Sequence, residues 1–258
     1  MSRVNFQSKG WKGFAASQEW ADLFKNLDRW LIENPGEMVV HYDSRDVRKV
    51  VTPLGTVYVK EIRALTDAGL HHRDLFSWFK WIFRGSRAID TWHASRQLLR
   101  KGFLCPMPIL AVRKRFGITP KDIFISAEIP YANLWDHMPK GMDVQKLVNL
   151  LANAIVKLHQ AGFAHGDCIL RNLCYDEIGH KIAFMDNDRT WMPPLPVRQM
   201  QQQRNLAQMA YSILKRFGES SSMAFLTTYA QKAGWPNNST IKSIQNAAIK
   251  RRNRKHIH

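Results

Sequence analysis

"AHGDCILRNL", residues 164–173, sets an acid, Asp167, directly after a glycine and places an amide, Asn172, five positions further on. Upstream, "DVQKLVNLLANAIVKLHQAG" repeats apolar residues at three-to-four spacing up to Gly162, so it reads as a helix with a glycine stop. Asp167 therefore falls in the loop after a long helix. Downstream, "NLCYD" reads as a short strand pairing with "KIAFMD", which delivers a second carboxylate, Asp186. Taken alone, Asp167 is an ordinary loop acid and Asn172 a turn residue. Together with Asp186 they make a set that phosphoryl transfer uses: a base for a hydroxyl proton, plus an amide oxygen and a carboxylate for Mg²⁺.

That set lacks a cation for a nucleotide, and the first half of the chain supplies one. "EMVVHYDSRDVRKVVTPLGTVYVKEI" divides into three β-branched runs, Met38 to Tyr42, Val47 to Val51 and Val57 to Ile62, with turns at "DSRD" and "TPLGT". Lys60 stands in the third run, in "VYVKEI", a strand context like the V-A-I-K lysine that pairs with nucleotide phosphates. Residues 17–33 put Trp20, Leu23, Phe24, Leu27, Trp30 and Leu31 on one face of an expected opening helix, stopped by "NPG". A further helix is expected from its cap Ser86 to Gly102, followed by strands at "ILAVRKRF" and "DIFISAEI". Past "PYANL" the pattern turns helical. A strand-rich half and a helix-rich half predict an α+β chain of two lobes, 1–130 with a small antiparallel sheet and 131–258 mainly helical.

The balance of 38 Lys and Arg against 21 Asp and Glu leaves a formal charge of +17, which favours anionic partners. Three cysteines, Cys105, Cys168 and Cys174, form no C-x-x-C pair and indicate neither a disulfide framework nor zinc. No run has the length of a membrane span and the start lacks a signal-peptide core, so a cytoplasmic protein is expected. "DLFSWFKWIFRGSR" mixes five aromatics with Lys80, Arg84 and Arg87, and reads either as core or as an interfacial helix on anionic lipid. "KRRNRKHIH" reads as a solvated basic tail with an electrostatic use at such a surface.

The order Lys60, Asp167, Asn172, Asp186 resembles the protein-kinase-like fold, with H-G-D where a typical protein kinase has H-R-D. More closely, "GSRAIDTWHASRQLLRKGFLCPMPILAV", "HGDCILRNL", "FMDNDR", "QRNLAQMAYSILKRF" and "MAFLTTYAQKAG" resemble the bacterial lipopolysaccharide kinase family, which phosphorylates Kdo or heptose of the inner core. The resemblance runs from about residue 45 to 234. It implies ATP and Mg²⁺ as cofactors, with Lys60 on the α- and β-phosphates, Asp167 orienting the sugar hydroxyl, and Asn172 and Asp186 on the metal. It further implies that His165 braces the loop and that backbone groups from Glu128 to Pro130 meet adenine.

Five features depart from that pattern or stay open. "YDSRD" replaces the glycine-rich phosphate loop, leaving Ser44 and Arg45 as candidate phosphate contacts. Asp90 is the sole acid of the Ser86 to Lys101 helix that could pair with Lys60. Arg171 is either the positive charge near the base or a solvent-facing residue. Asp188 belongs either to the metal shell or to a turn and ion pair with Arg189. Asn205 stands where an acid is expected beneath the loop.

The expected acceptor is a lipopolysaccharide core precursor, met on the cytoplasmic face of an anionic inner membrane. The alternatives are a kinase of the same fold acting on a soluble small molecule or protein, and a basic nucleic-acid-binding protein with an inert site. No recognised nucleic-acid module is visible in support of the last.

Overall fold

The computed structural model describes residues 3–42, 44–63, 85–116, 119–194, 197–235 and 238–254. Within these the chain forms two compact units, 1–96 with 106–129, and 97–105 with 130–258. The second unit thus takes up 97–105, a segment that the sequence reading assigned to the first lobe.

The first unit opens with a hairpin that the sequence reading missed, β1 (Val4–Ser8) and β2 (Trp11–Ala15). Its two-residue turn, Lys9–Gly10, has positive φ at both positions, which glycine takes without penalty but lysine seldom does. The expected single helix over 17–33 is two, α1 (Gln18–Leu23) and α2 (Leu27–Glu33). The break has a tertiary cause: the Ser8 hydroxyl donates to the Lys25 carbonyl at 2.5 Å, satisfying a group that a continuous helix would have bonded internally. It also lets Phe24 stack on Trp20 and meet Trp30 edge-on.

The meander follows as β3 (Glu37–Tyr42), β4 (Arg45–Thr52) and β5 (Gly55–Arg63). Then come α3 (Arg87–Arg100), β6 (Pro108–Phe116) and β7 (Thr119–Ala127). All seven strands join one antiparallel sheet in the order β1-β2-β6-β7-β5-β4-β3. Alternation along the strands gives the sheet two different faces. Val50, Val57, Val59, Ile123 and Ile125 face the aromatic cluster of α1 and α2. On the opposite face Ala111 and Phe124 pack with Ala88 and Trp92 of α3. Lys60 is the cross-strand partner of Phe124, so it shares the α3 face.

Charge inside this unit is paired. Asp46 holds Arg63 and lies 2.7 Å from His41 Nδ1; Glu61 holds Arg48 and, at 2.5 Å, Lys121. Asp122 is fully buried, accepts from Arg113 Nε at 2.7 Å, and takes the Ala88 N–H at the start of α3 at 3.4 Å.

The second unit is built from α4 (Val144–Gln160), the hairpin β8 (Leu173–Asp176) and β9 (Lys181–Phe184), α5 (Gln199–Phe217), α6 (Glu219–Ala233) and α7 (Asn238–Arg254). Asp143 caps α4, accepting from Lys146 N at 2.7 Å. The core gathers Leu151, Ile155, Phe163, Phe184, Met209 and Phe225. The basic run that the sequence suggests is a tail begins inside α7, and Arg251 sits 4.8 Å from the Tyr211 ring centroid. The aromatic stretch from 74 to 84 lies outside the described residues.

Removing a partner from a buried ion pair costs about 3–5 kcal/mol, because the remaining charge stays uncompensated. Asp122→Ala should therefore lower stability in urea unfolding by about that amount. Asp22→Ala, at an exposed site of α1, should change it by no more than about 0.5 kcal/mol.

Candidate active site

In the first unit Lys60 is buried on β5, its neighbour Glu61 turned to the other face with Arg48 and Lys121. Ser44 precedes β4 and Arg45 opens it: the Ser44 carbonyl accepts from Arg63 N at 3.0 Å, and the Arg45 guanidinium lies 5.1 Å over the Tyr42 ring. Asp90 is exposed in the first turn of α3. Glu128 donates its N–H to Thr56 O at 3.0 Å, and its carboxylate takes the Lys49 ammonium at 2.7 Å. Pro130 begins the longer segment of the second unit and has no N–H. Of the stretch read as adenine-binding, Ile129 is thus the residue whose N–H is neither absent nor given to Thr56.

The second unit brings Asp167, Asn172, His165 and Asp186 together. After α4 the chain runs through Ala164, which exchanges two backbone hydrogen bonds with Trp191, and on to a 3₁₀ turn at Leu170–Asn172. The Asn172 amide donates to the Asp167 carbonyl at 2.9 Å and to its Oδ2 at 3.4 Å, which turns the Asn172 oxygen away from that carboxylate. The Asn172 carbonyl accepts from Met185 N at 2.8 Å, which fixes Asp186 beside it. Asp186 has φ +49, a left-handed conformation that aspartate tolerates better than most residues.

His165 is buried with both nitrogens committed. Nε2 donates to the Met185 carbonyl at 2.8 Å, and Nδ1 accepts from Asp167 N at 3.2 Å. A carbonyl can only accept, so the ring is the neutral Nε2–H tautomer. Burial pushes its pKa down in the same sense.

Four side chains of α5, within an arc of about 100°, satisfy the loop from below. Arg204 donates to the Gly166 carbonyl at 3.3 Å, and Asn205 accepts from His165 N at 2.8 Å while donating to its carbonyl at 2.7 Å. Gln208 accepts from Cys168 N at 3.1 Å and donates to Asp167 Oδ1 at 3.2 Å; Ser212 accepts from Leu170 N at 3.1 Å. The amide at 205 does what a carboxylate cannot, because it donates as well as accepts. Its oxygen also takes His159 Nε2–H at 3.2 Å, and His159 Nδ1 accepts from Tyr229 OH at 2.8 Å. Gln208, Ser212 and Arg204 escaped the sequence reading. The available signal was polar residues at 205, 208 and 212 spaced like the apolar face of the same helix.

Gly166 explains the H-G-D sequence. A Cβ at 166 would collide with the main-chain carbonyl of Asp188, because the turn from Asp186 to Thr190 doubles back on the loop. Asp188 itself is half-buried in that turn. Cys168 is fully buried, and burial raises its thiol pKa far above the usual range, so it is no proton donor beside Asp167.

Among the described residues no cluster of three or more His, Cys, Asp or Glu could close around a metal. Two hard oxygens, from Asn172 and Asp186, suit an ion that keeps waters and substrate phosphates in its other positions, as Mg²⁺ does.

This arrangement sits in a protein-kinase-like fold. A solved structure of WaaP in complex with acyl carrier protein superimposes with a TM-score of 0.64 at 15% identity, covering 97% of this chain and 99% of that one. The Rio2 kinase of Chaetomium thermophilum, solved as an ADP/Mg²⁺-phosphoaspartate complex, gives 0.52 at 13% identity, covering 97% of this chain and 81% of that one. Residues 45–229 match the model of the lipopolysaccharide kinase (Kdo/WaaP) family, and the chain belongs to that family. The 3-deoxy-D-manno-octulosonic acid kinase of Xylella fastidiosa (strain 9a5c) is 22% identical over 172 residues, 67% of each chain. No helix among the described residues is long and apolar enough to cross a membrane.

Burial pushes the His159 pKa from 6.5 down to about 4. Between those values the unfolded chain binds more protons than the folded one, so stability falls as pH drops through that window. His165 acts with the same sign. Urea unfolding should show a loss on the order of 2 kcal/mol from His159 between pH 7 and pH 5. His159→Gln should remove that part of the pH dependence; an unchanged dependence would contradict the neutral assignment.

Proposed function

We propose that this protein transfers the γ-phosphoryl group of ATP to a hydroxyl of a Kdo or heptose residue in the lipopolysaccharide inner core. The observation that carries the reading is the Asp167–Asn172 pair with Asp186 fixed beside it, in a chain of this family. The Asp167 carboxylate is exposed yet oriented, one oxygen held by Gln208 and the other by Asn172. It accepts a hydrogen bond from the acceptor hydroxyl and takes its proton as that oxygen bonds to the γ-phosphorus and ADP leaves. His165 braces the loop and has no nitrogen left for that proton. Asn172 and Asp186 would hold Mg²⁺, which when bound neutralises charge on the nucleotide phosphates. Lys60 contributes a cation to the α- and β-phosphates, and the Ile129 N–H a donor to adenine.

The lipid-borne acceptor places the reaction at the cytoplasmic face of the inner membrane. The excess of 17 positive charges supports peripheral attraction to anionic lipid there.

Mass spectrometry of lipopolysaccharide from cells with and without the gene should differ by one phosphate on a core sugar; identical cores would refute the reading. In vitro, Asp167→Asn should lower kcat by about 100-fold or more, with ATP affinity retained. Asn172→Ala and Asp186→Ala should each weaken Mg²⁺-dependent ATP binding by about tenfold or more in calorimetry.

A further inference from the structure

Trp135 lies half-buried in the stretch before α4, with two exposed cations on it. The Arg171 guanidinium is 5.2 Å from its ring centroid and the Lys215 ammonium 6.0 Å. We propose that Arg171 and Lys215, held on the indole of Trp135, form an anion-binding subsite that receives a carboxylate or phosphate of the acceptor and so selects an acidic sugar. This rests on the reading that a sugar hydroxyl meets Asp167.

Position is the first support. Arg204, Gln208 and Ser212 hold Gly166, Asp167 with Cys168, and Leu170 in step along α5. Lys215 is the next residue of that helical row, and Arg171 the next residue of the loop. Gln208 to Lys215 is about 10 Å along the helix axis, so the pair of cations stands within reach of an acceptor whose hydroxyl lies at Asp167.

Charge is the second. Two like charges from different elements repel when gathered at one ring. The negative π face of the indole offsets part of this, and an anion between them offsets the rest. A guanidinium is planar and matches a carboxylate or phosphate in two parallel hydrogen bonds, while an ammonium adds a point charge. The adjacent acid, Asp136, is engaged within its own turn, accepting from the Asn133 amide at 2.9 Å, and Asn133 Oδ1 takes the Trp135 N–H at 3.1 Å.

Steady-state kinetics of Arg171→Gln, Lys215→Gln, the double variant and Arg171→Lys test the subsite. The acceptors are a lipid-linked Kdo substrate, its carboxylate methyl ester, its dephosphorylated form, and the form carrying both changes. Each Gln variant should raise the acceptor KM about tenfold, or about 1.4 kcal/mol, without raising the KM for ATP, and Arg171→Lys should recover part of the loss. On the acceptor stripped of both anions, variant and wild type should converge. Whichever single removal produces most of that convergence identifies the anion as carboxylate or phosphate. An acceptor KM within twofold of wild type in both Gln variants would overturn the proposal, as would an equal rise on the doubly neutral acceptor. If the wild-type protein phosphorylates no core sugar, the proposed function fails separately. Calorimetric titration of Kdo and of inorganic phosphate then decides the subsite: binding lost in the double variant supports it, and no difference between the proteins overturns it.

Discussion

An irregular loop can be buried against a helix only if its backbone donors and acceptors find partners other than water. The stretch from His165 to Leu170 meets this condition through α5, whose Arg204, Asn205, Gln208 and Ser212 stand in for the solvent. Each such bond contributes only about 1 kcal/mol net, but an unsatisfied buried group costs about 1–3 kcal/mol. The network therefore leaves the loop few alternative conformations. Asp167 inherits its position from this constraint, and Asn172 and Asp186 inherit theirs through Asp167 and Met185.

Much of this was legible from residue spacing, because amphipathic periods and β-branched runs report directly on which face is buried. Lys60 in its strand, the loop after α4 and the β8–β9 hairpin all follow from that rule. The β1–β2 hairpin did not, since Lys9–Gly10 lacks the Asn-Gly or Asp-Gly that announces such a turn. Nor did the break between α1 and α2, which is decided by Ser8, far away in sequence from Lys25. Asn205 looked like a weakness because an acid was expected there. The structure shows a residue bonded to both the N–H and the carbonyl of His165, a task that requires an amide.

The charge excess is distributed by the same economy of burial. In the first unit Asp46, Glu61 and Asp122 are buried, each already holding a cation. These acids spend their charge inside, so the outward field is set by the basic residues left over. Such pairs cancel locally and leave the net charge unchanged, so the excess of 17 is carried mainly by residues outside them.

Gly166 carries a consequence for how such a sequence can evolve. The volume that a side chain would need is filled by the Asp188 carbonyl, in the turn that begins with Asp186. A substitution at 166 therefore displaces the turn, and a change in the turn alters what 166 can accommodate. Two segments twenty positions apart thus form one epistatic unit, in which effects are non-additive because the residues share one space. An arginine at 166 becomes accessible only to a chain that has first rebuilt the segment from Asp186 to Thr190.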